Sequence, residues 1–157
     1  MKTNKKYILI TGSSGFIGYH VCKKFLEKKY NVLGIDNHDS YYPIKYKIER
    51  KKRLDKFKNF KSYNLDISKK KKLNELNNFN ISSIIHLAAQ AGVRSADKIK
   101  NKYINSNIIG FDNILEFAKS KKIKKLIYAS SSSVYGNTKK IPRKKRIIYP
   151  NQYHFMV

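Results

Sequence analysis

Short apolar runs alternate along the chain with longer segments in which apolar residues recur at helical spacing. The short runs predict β-strands at residues 7–11, 32–35, 60–65, 83–87 and 125–129. The longer segments predict helices at residues 16–28, 44–56 and 99–119, and a further helix that begins near Ser68. Strands that alternate with helices are typical of a parallel sheet with right-handed crossovers. The pattern therefore predicts an α/β fold with a doubly wound parallel sheet.

Three glycines mark the turn between the first strand and the first helix. Gly12 allows a tight turn, Gly15 allows a ligand to approach the backbone, and Gly18 allows the helix to lie close to the strand. The first N–H groups of a helix have no partners within the helix, and the helix dipole favours a negative charge there. This turn is therefore predicted to hold the pyrophosphate of a dinucleotide.

Acidic residues follow the second and third predicted strands. Asp36 is positioned to accept hydrogen bonds from both ribose hydroxyls and to repel a 2'-phosphate, which favours NAD over NADP. Asp66 has two interpretations that the sequence does not separate. It either reaches the adenine amino group or caps the helix that begins near Ser68.

The loops that follow the strands are predicted to meet at one edge of the sheet, because parallel strands all end on the same side. Small residues after the fourth strand leave room for a ligand against the backbone. His86 at the end of that strand is interpreted as a hydrogen-bonded histidine without a catalytic role. The loops that converge are residues 11–15, Asp36, Asp66, residues 88–94 and residues 130–133.

Length and composition limit the number of domains and the kinds of site that the chain can have. A chain of 157 residues accommodates one domain with a real core. Its single cysteine, Cys22, is predicted to be a small core residue, so neither a disulfide framework nor a metal site is expected. No signal peptide or membrane span is predicted, and the expected location is the cytoplasm.

The formal net charge is +25, which raises the hypothesis of a basic polyanion-binding protein. The 35 Lys and Arg residues, however, are spread over nearly every predicted helix and loop. That distribution argues against a specific nucleic-acid partner. Weak, salt-sensitive binding to polyanions is expected at this charge.

Four motifs occur in order: Thr-Gly-Ser-Ser-Gly-Phe-Ile-Gly at 11–18, Gly-Ile-Asp-Asn at 34–37, Ile-His-Leu-Ala-Ala-Gln at 85–90, and Ala-Ser-Ser-Ser-Ser-Val-Tyr-Gly at 129–136. Together they resemble the extended short-chain dehydrogenase/reductase family, in its nucleotide-sugar epimerase and dehydratase branch. Tyr-Tyr after Asp-Asn, and Ala-Ala-Gln-Ala-Gly-Val-Arg, are most similar to UDP-glucuronate 4-epimerases. Ser132-Ser133 stands where dehydratases are expected to have Asp-Glu, which favours an epimerase.

The resemblance implies a Rossmann-type sheet with strand order 3-2-1-4-5, incomplete at its C-terminal side, with NAD as the cofactor and a nucleotide-sugar as the substrate. It also implies catalysis by transient oxidation at C4, in which a tyrosine phenolate takes the hydroxyl proton. Ser131 would hydrogen-bond the reacting oxygen, although the serine cluster is alternatively a polar strand exit. Arg94, Ser132 and Ser133 would contact the substrate, and Arg94 is alternatively a solvated loop charge. The implied cofactor-binding residues are Gly12, Ser14, Gly15, Phe16, Ile17, Gly18, Asp36, Asn37, Asp66, Ile67, Leu87, Ala88, Ala89, Gln90, Asn107 and Ser130.

The family's catalytic Tyr-x-x-x-Lys, which belongs one loop beyond Val-Tyr-Gly, is not found at that place in this sequence. We therefore predict a partial cofactor domain at residues 1–142, inactive alone, and an aberrant, unstructured segment at 143–157. A frameshift near Pro142 is our hypothesis for that segment, and the family's usual homodimer is doubtful here. The alternative is a non-catalytic NAD-binding module, which has the same fold but catalyses no reaction.

Overall fold

Five parallel strands form the sheet in the computed structural model, which describes residues 5–92 and 99–131. The strands are β1 (Lys6–Thr11), β2 (Asn31–Asp36), β3 (Phe60–Asn64), β4 (Asn80–His86) and β5 (Leu126–Tyr128). Their order across the sheet is β3-β2-β1-β4-β5, and all four neighbouring pairs are parallel. The predicted fold class and strand order are confirmed. The predicted segment 143–157 lies outside the described residues.

Helices and turns connect successive strands. They are α1 (Phe16–Glu27), α2 (Ile44–Leu54), a 3-10 helix (Lys70–Leu76), and a long helical run made of α3 (Lys100–Tyr103), a π-helical segment (Ile104–Ile109) and α4 (Gly110–Ser120). Within the described ranges, no helix has both the length and the apolar character needed to cross a membrane.

The core has two layers because alternate residues of each central strand face opposite sides of the sheet. On one side, Leu9 and Leu33 pack with residues of the 3-10 helix and α4, among them Leu76 and Ile114. On the other side, Ile8, Ile10 and Val32 pack with Cys22 and Leu26 of α1 and Leu54 of α2. Burial on both faces explains why β1 and β2 are continuous apolar runs.

Two details of the helices differ from the sequence-based expectation. Phe16 and Ile17 share the helical spacing of the apolar residues in α1, yet they are 68% and 60% exposed. They occupy the first turn, at the sheet edge, so the core contacts of α1 come from Cys22 and Leu26 further along. The predicted 99–119 helix contains a π-helical segment, which widens the turn that carries Asn107.

Cys22 is fully buried, and burial raises the pKa of its thiol to about 12. The thiolate is the reactive species, and it is scarce at ordinary pH. We expect a disulfide reagent such as Ellman's to leave native Cys22 unmodified at about pH 8 and to react fully once urea unfolds the chain. The absorbance of the thiolate that the reagent releases measures the extent of Cys22 modification. Rapid stoichiometric labelling of the native protein would contradict the buried placement of α1.

Candidate functional site

A cleft of about 400 Å³ lies at the carboxyl edge of the sheet. Its walls come from the turn after β1, the loop after β2, the loop after β4 and the first turns of α2. Ten of the predicted cofactor-binding residues line it: Gly12, Gly15, Phe16, Asp36, Asn37, Ile67, Leu87, Ala88, Ala89 and Gln90. The loops after β1, β2 and β4, with Leu65 and Ile67 after β3, therefore meet at one edge, as the parallel topology predicts. Ser130 and Ser131 after β5 do not line the cleft, and residues 132–133 lie outside the described residues.

The glycine turn is built so closely that Gly12 and Gly18 have no room for a side chain. Gly12 has φ +69°, and a Cβ placed on it would lie 2.9 Å from the backbone nitrogen of Ala88. A Cβ on Gly18 would lie 1.9 Å from the carbonyl oxygen of Gly12, so this glycine brings α1 against the turn. Gly15 is the N-cap of α1, no side chain hydrogen-bonds that cap, and the first turn carries no acid. The helix end is thus available to an anionic ligand.

Asp36 is held at the end of β2 by backbone donors. One carboxylate oxygen accepts the N–H of Ser14 at 3.0 Å, and the other accepts the N–H of His38 at 2.9 Å. Lys47 of α2 adds an ion pair, with its Nζ 3.6 Å from Asp36 Oδ1. Ser14 is buried beneath the cleft, and its hydroxyl also hydrogen-bonds the His38 ring at 3.2 Å. Ser14 therefore supports Asp36 and does not line the cleft itself.

Thr11 and His86 fix the exit of β4. The Thr11 hydroxyl oxygen accepts the N–H groups of Leu87 at 3.1 Å and Ala88 at 3.0 Å, and it lies 2.8 Å from Nδ1 of His86. Since the oxygen accepts two N–H groups, its own proton is left for Nδ1. The His86 ring stacks on Phe111, and burial lowers its pKa to about 4. This agrees with the interpretation of His86 as a hydrogen-bonded histidine.

The low pKa of His86 gives stability a dependence on pH. Folding lowers the pKa from 6.5 to about 4, so the unfolded chain binds a proton first as the pH falls. The free energy of unfolding is expected to decrease between about pH 6.5 and pH 4, by about 3 kcal/mol in total from this residue.

Urea unfolding across this pH range measures the loss, and His86→Asn serves as the control. Asparagine keeps an acceptor for Thr11 and removes the titration, so the pH dependence of the variant should be flatter by that amount. An equal slope in both proteins would exclude His86 as its origin.

Other predicted residues lie beside the cleft. Two hydrogen bonds join the Asn107 side chain to the Gln90 backbone. The Gln90 N–H donates to Asn107 Oδ1 at 2.8 Å, and Asn107 Nδ2 donates to the Gln90 carbonyl oxygen at 3.2 Å, so Asn107 holds the loop after β4.

Asp66 accepts the N–H and the hydroxyl of Ser68, at 2.9 and 2.7 Å, within its own turn. The 3-10 helix that follows begins at Lys70, its N-cap is Lys69, and no side chain hydrogen-bonds that cap, so Asp66 does not cap this helix. The contact of Asp66 with the adenine amino group stays a prediction.

The remaining predicted residues are placed less directly. Ile17 is exposed on the first turn of α1, and Gly18 lies behind the turn. Ser130 and Ser131 follow β5 at the same sheet edge and are exposed. Arg94, Ser132 and Ser133 lie outside the described residues. In the described ranges, no group of three or more His, Cys, Asp or Glu side chains is arranged to hold a metal ion.

Most of the lining residues that the sequence analysis did not assign to the site come from the segment after β2. Tyr41, Tyr42 and Tyr46 line the cleft, together with Lys47 and Arg50. Arg50 donates to the carbonyl oxygen of Ser14 at 3.4 Å, and its guanidinium lies 5.8 Å from the centre of the Phe16 ring. The available signal was the spacing: Lys47 and Arg50 are three residues apart on a helix that starts directly after the loop, so both face the same way.

Tyr41 and Asp39 tie this loop across the cleft. A Cβ on Gly92 would lie 1.8 Å from the Tyr41 hydroxyl, so the tyrosine packs on the bare backbone of the loop after β4. Burial alone would raise the pKa of the Asp39 carboxyl, but its pairing with Lys102 of α3 at 2.8 Å and its hydrogen bond from the Tyr41 N–H outweigh burial and lower the pKa. The loop after β2 thus spans from one wall of the cleft to the other.

Comparison with known proteins gives a consistent family. The model of the NAD dependent epimerase/dehydratase family matches residues 8–154. The UDP-glucuronate 4-epimerase of Thermodesulfobacterium geofontis is 42% identical over 131 residues, which cover 83% of this chain and 41% of that protein. Protein CapI of Staphylococcus aureus is 44% identical over 138 residues, covering 85% of this chain and 40% of that protein.

A solved structure shares the fold. The UDP-glucuronic acid 4-epimerase from Bacillus cereus, in complex with UDP-glucuronic acid and NAD, aligns with a TM-score of 0.77 and 33% identity, over 92% of this chain and 46% of that one. The chain spans about two fifths of the length of the curated relatives it matches. Because the family model covers nearly all of the sequence and its glycine turn and strand order are present, the chain belongs to the NAD dependent epimerase/dehydratase family.

Proposed function

We propose that this chain is the cofactor-binding part of an NAD-dependent nucleotide-sugar 4-epimerase of the UDP-glucuronate 4-epimerase type. The observation that carries the proposal is the cleft itself. A glycine turn without room for a side chain at Gly12 or Gly18 and a buried carboxylate at the end of β2 meet at one sheet edge. The named relatives and the NAD-bound structural neighbour support the same cofactor and point to a UDP-hexuronate as substrate.

The residues present fit NAD in chemistry and shape. The turn at Gly12 and the uncapped start of α1 would hold the pyrophosphate, and Asp36 would accept hydrogen bonds from the adenosine ribose. Leu65, Ile67 and Leu87 give the cleft apolar walls suited to an aromatic base. When bound, NAD supplies the acceptor and donor of the hydride that a 4-epimerisation removes and returns.

The chain's own residues would then orient the reactants. Thr11 holds the exit of β4 rigid, and Asn107 fixes the Gln90 backbone, so one wall of the cleft is set before any ligand binds. Ser131 follows β5 at the same edge, and by resemblance its hydroxyl would hydrogen-bond the sugar oxygen at the reacting carbon. The nucleotide-sugar itself, and its glucuronate identity, are part of this proposal.

Titration calorimetry of the full chain with NAD tests the proposal. One dinucleotide should bind per chain, and Asp36→Ala should weaken binding about tenfold to a hundredfold, since it removes charge-assisted hydrogen bonds to the ribose. Asp55→Ala is the matched control, because Asp55 ends α2 outside the cleft and pairs with Lys51 at 2.6 Å. Circular dichroism checks that both variants fold.

Two results would contradict the proposal. One is a folded chain that shows no heat of NAD binding. The other is binding that Asp36→Ala and Asp55→Ala change equally and that disappears with moderate salt, which is the behaviour of a general polyanion-binding surface.

A further inference from the structure

One side of α2 exposes apolar side chains between lysines. Ile44 and Ile48 are 43% and 36% exposed, although isoleucine is among the residues that are most often buried. Lys45 and Lys52 are exposed as well. At helical spacing, all four positions fall within an arc of about 100° around the helix axis. These four residues form the outer face of α2, and none of them lines the cleft.

The opposite side of α2 faces the rest of the protein. Leu54 is fully buried and packs in the same core cluster as Leu26 of α1, while Lys47 and Arg50 line the cleft. The isoleucines of the outer face belong to neither. An amphipathic helix normally exposes polar side chains on the side away from the core. Neighbouring isoleucines in that place, rimmed by lysines, are typical of an interaction surface.

The charge of α2 indicates what kind of partner this surface fits. Residues 44–56 contain seven Lys and Arg residues and two acids. Both acids pair within the helix and its cap, Glu49 with Arg53 and Asp55 with Lys51. Among the described residues, neither lysine of the outer face forms an ion pair. The outer face of α2 therefore combines uncompensated positive charge with exposed aliphatic side chains.

We propose that the outer face of α2 docks on an anionic lipid surface, separately from the NAD site. The two lysines contact the negatively charged headgroups, and Ile44 and Ile48 enter the boundary between headgroups and acyl chains. Tyr42, which is 56% exposed just before α2, adds an amphipathic ring of the kind enriched at this depth. Docking of this kind is peripheral and requires no helix that spans the bilayer.

Two competing interpretations involve charge alone. The formal charge of +25 attracts any polyanion, and RNA binds lysines through its phosphates. Single-stranded RNA gains affinity by stacking its bases on aromatic rings, and exposed isoleucines offer it no such contact. An effect of the isoleucines on binding therefore separates a lipid surface from RNA.

The chain offers a matched control for charge. Residues 69–72 are four successive exposed lysines at the start of the 3-10 helix. The apolar residues of that helix, Leu73 and Leu76, are buried. This segment thus has the positive charge of the outer face without its exposed apolar side chains. Lys70 and Lys72 pair with acids, so Lys69 and Lys71 are the positions to compare with Lys45 and Lys52.

The experiment is sedimentation of the full chain with vesicles at about 0.15 M salt. The vesicles are phosphatidylcholine alone, or phosphatidylcholine with about one third phosphatidylserine. The chain should bind the anionic vesicles and leave the neutral ones unbound. Ile44→Gln with Ile48→Gln, and separately Lys45→Gln with Lys52→Gln, should each weaken binding at least about tenfold. Lys69→Gln with Lys71→Gln should weaken it less than about threefold.

Each failure has a distinct meaning. No binding to anionic vesicles at this salt, or equal weakening by both lysine pairs, would show that the outer face of α2 has no specific role. Tighter binding to a short single-stranded RNA, unchanged by the isoleucine variants, would identify a general polyanion-binding surface and contradict the proposal. Circular dichroism checks that the variants fold. Because none of the substituted residues lines the cleft, each of these failures leaves NAD binding, and the proposed function, unaffected.

Discussion

The purified 157-residue polypeptide is expected to give no detectable 4-epimerisation of UDP-glucuronate, even when NAD is saturating. The resemblance implies that a tyrosine phenolate with a nearby lysine takes the proton of the 4-hydroxyl, and the sequence offers no such pair one loop beyond Val-Tyr-Gly. Without a base at the reacting oxygen, a positioned serine and a bound cofactor leave the proton transfer uncatalysed, which costs about 10²–10⁴-fold in rate.

Two of the Tyr-x-x-x-Lys spacings elsewhere lie in described parts of the chain. Tyr19 and Lys23 lie on α1. Tyr41 lines the cleft, but it belongs to the loop before α2, and Lys45 lies over the ring of Tyr46 with its Nζ 5.2 Å from the centre. Tyr135 and Lys139 lie outside the described residues. We therefore expect none of these pairs to serve as the base.

The assay separates UDP-glucuronate from UDP-galacturonate by chromatography, with a full-length relative as the positive control. Turnover that copurifies with this chain and is lost in Tyr41→Phe would contradict the expectation and identify Tyr41 as the base. Turnover that Tyr41→Phe leaves unchanged would show that another residue acts as the base. In either case the account of a missing base would be wrong.

Replacement of Gly18 by alanine is expected to destabilise the chain by about 2 kcal/mol. The new Cβ would lie 1.9 Å from the Gly12 carbonyl oxygen, so α1 must move away from the turn. Overpacking of this kind costs about 1–3 kcal/mol, and the better helix propensity of alanine returns less than about 1 kcal/mol. Urea unfolding measures the difference, and NAD affinity should fall as well because the turn shifts.

Gly15→Ala is the matched control. A Cβ there would lie 3.1 Å from the same carbonyl oxygen, which requires only a small adjustment. We expect stability to change by less than about 1 kcal/mol while NAD binding weakens, because the methyl group occupies space that the pyrophosphate needs. If Gly18→Ala were as stable as Gly15→Ala, the close approach of α1 to the turn would be incorrect.

The sequence predicted the parts of this site that depend on periodicity and on glycine. The continuous apolar runs of β1 and β2 predicted the sheet, and the sheet in turn predicted that Gly12, Asp36 and Ala88 would meet at one edge. These positions follow from strand direction alone, because parallel strands end on the same side. No side-chain conformation has to be known to predict them.

The other features of the site depend on local geometry, which the periodicity of the sequence does not determine. Lys47 and Arg50 appeared as part of a basic surface helix, and only the path of the loop after β2 turns them toward Asp36. Phe16 fitted the apolar spacing of α1, yet the first turn of that helix projects past the sheet. Asp66 forms a turn with Ser68, so the next helix begins only at Lys70 and Asp66 does not cap it.

Hydrogen exchange of the full chain with and without NAD tests the central claim most directly. If separate loops at one sheet edge hold the dinucleotide, NAD should slow exchange in peptides covering the turn after β1, the loop after β2 and the loop after β4. The 3-10 helix Lys70–Leu76, away from the cleft, should exchange at an unchanged rate. NAD-induced protection confined to a region outside the cleft, or binding without protection at Gly12 and Asp36, would contradict the account.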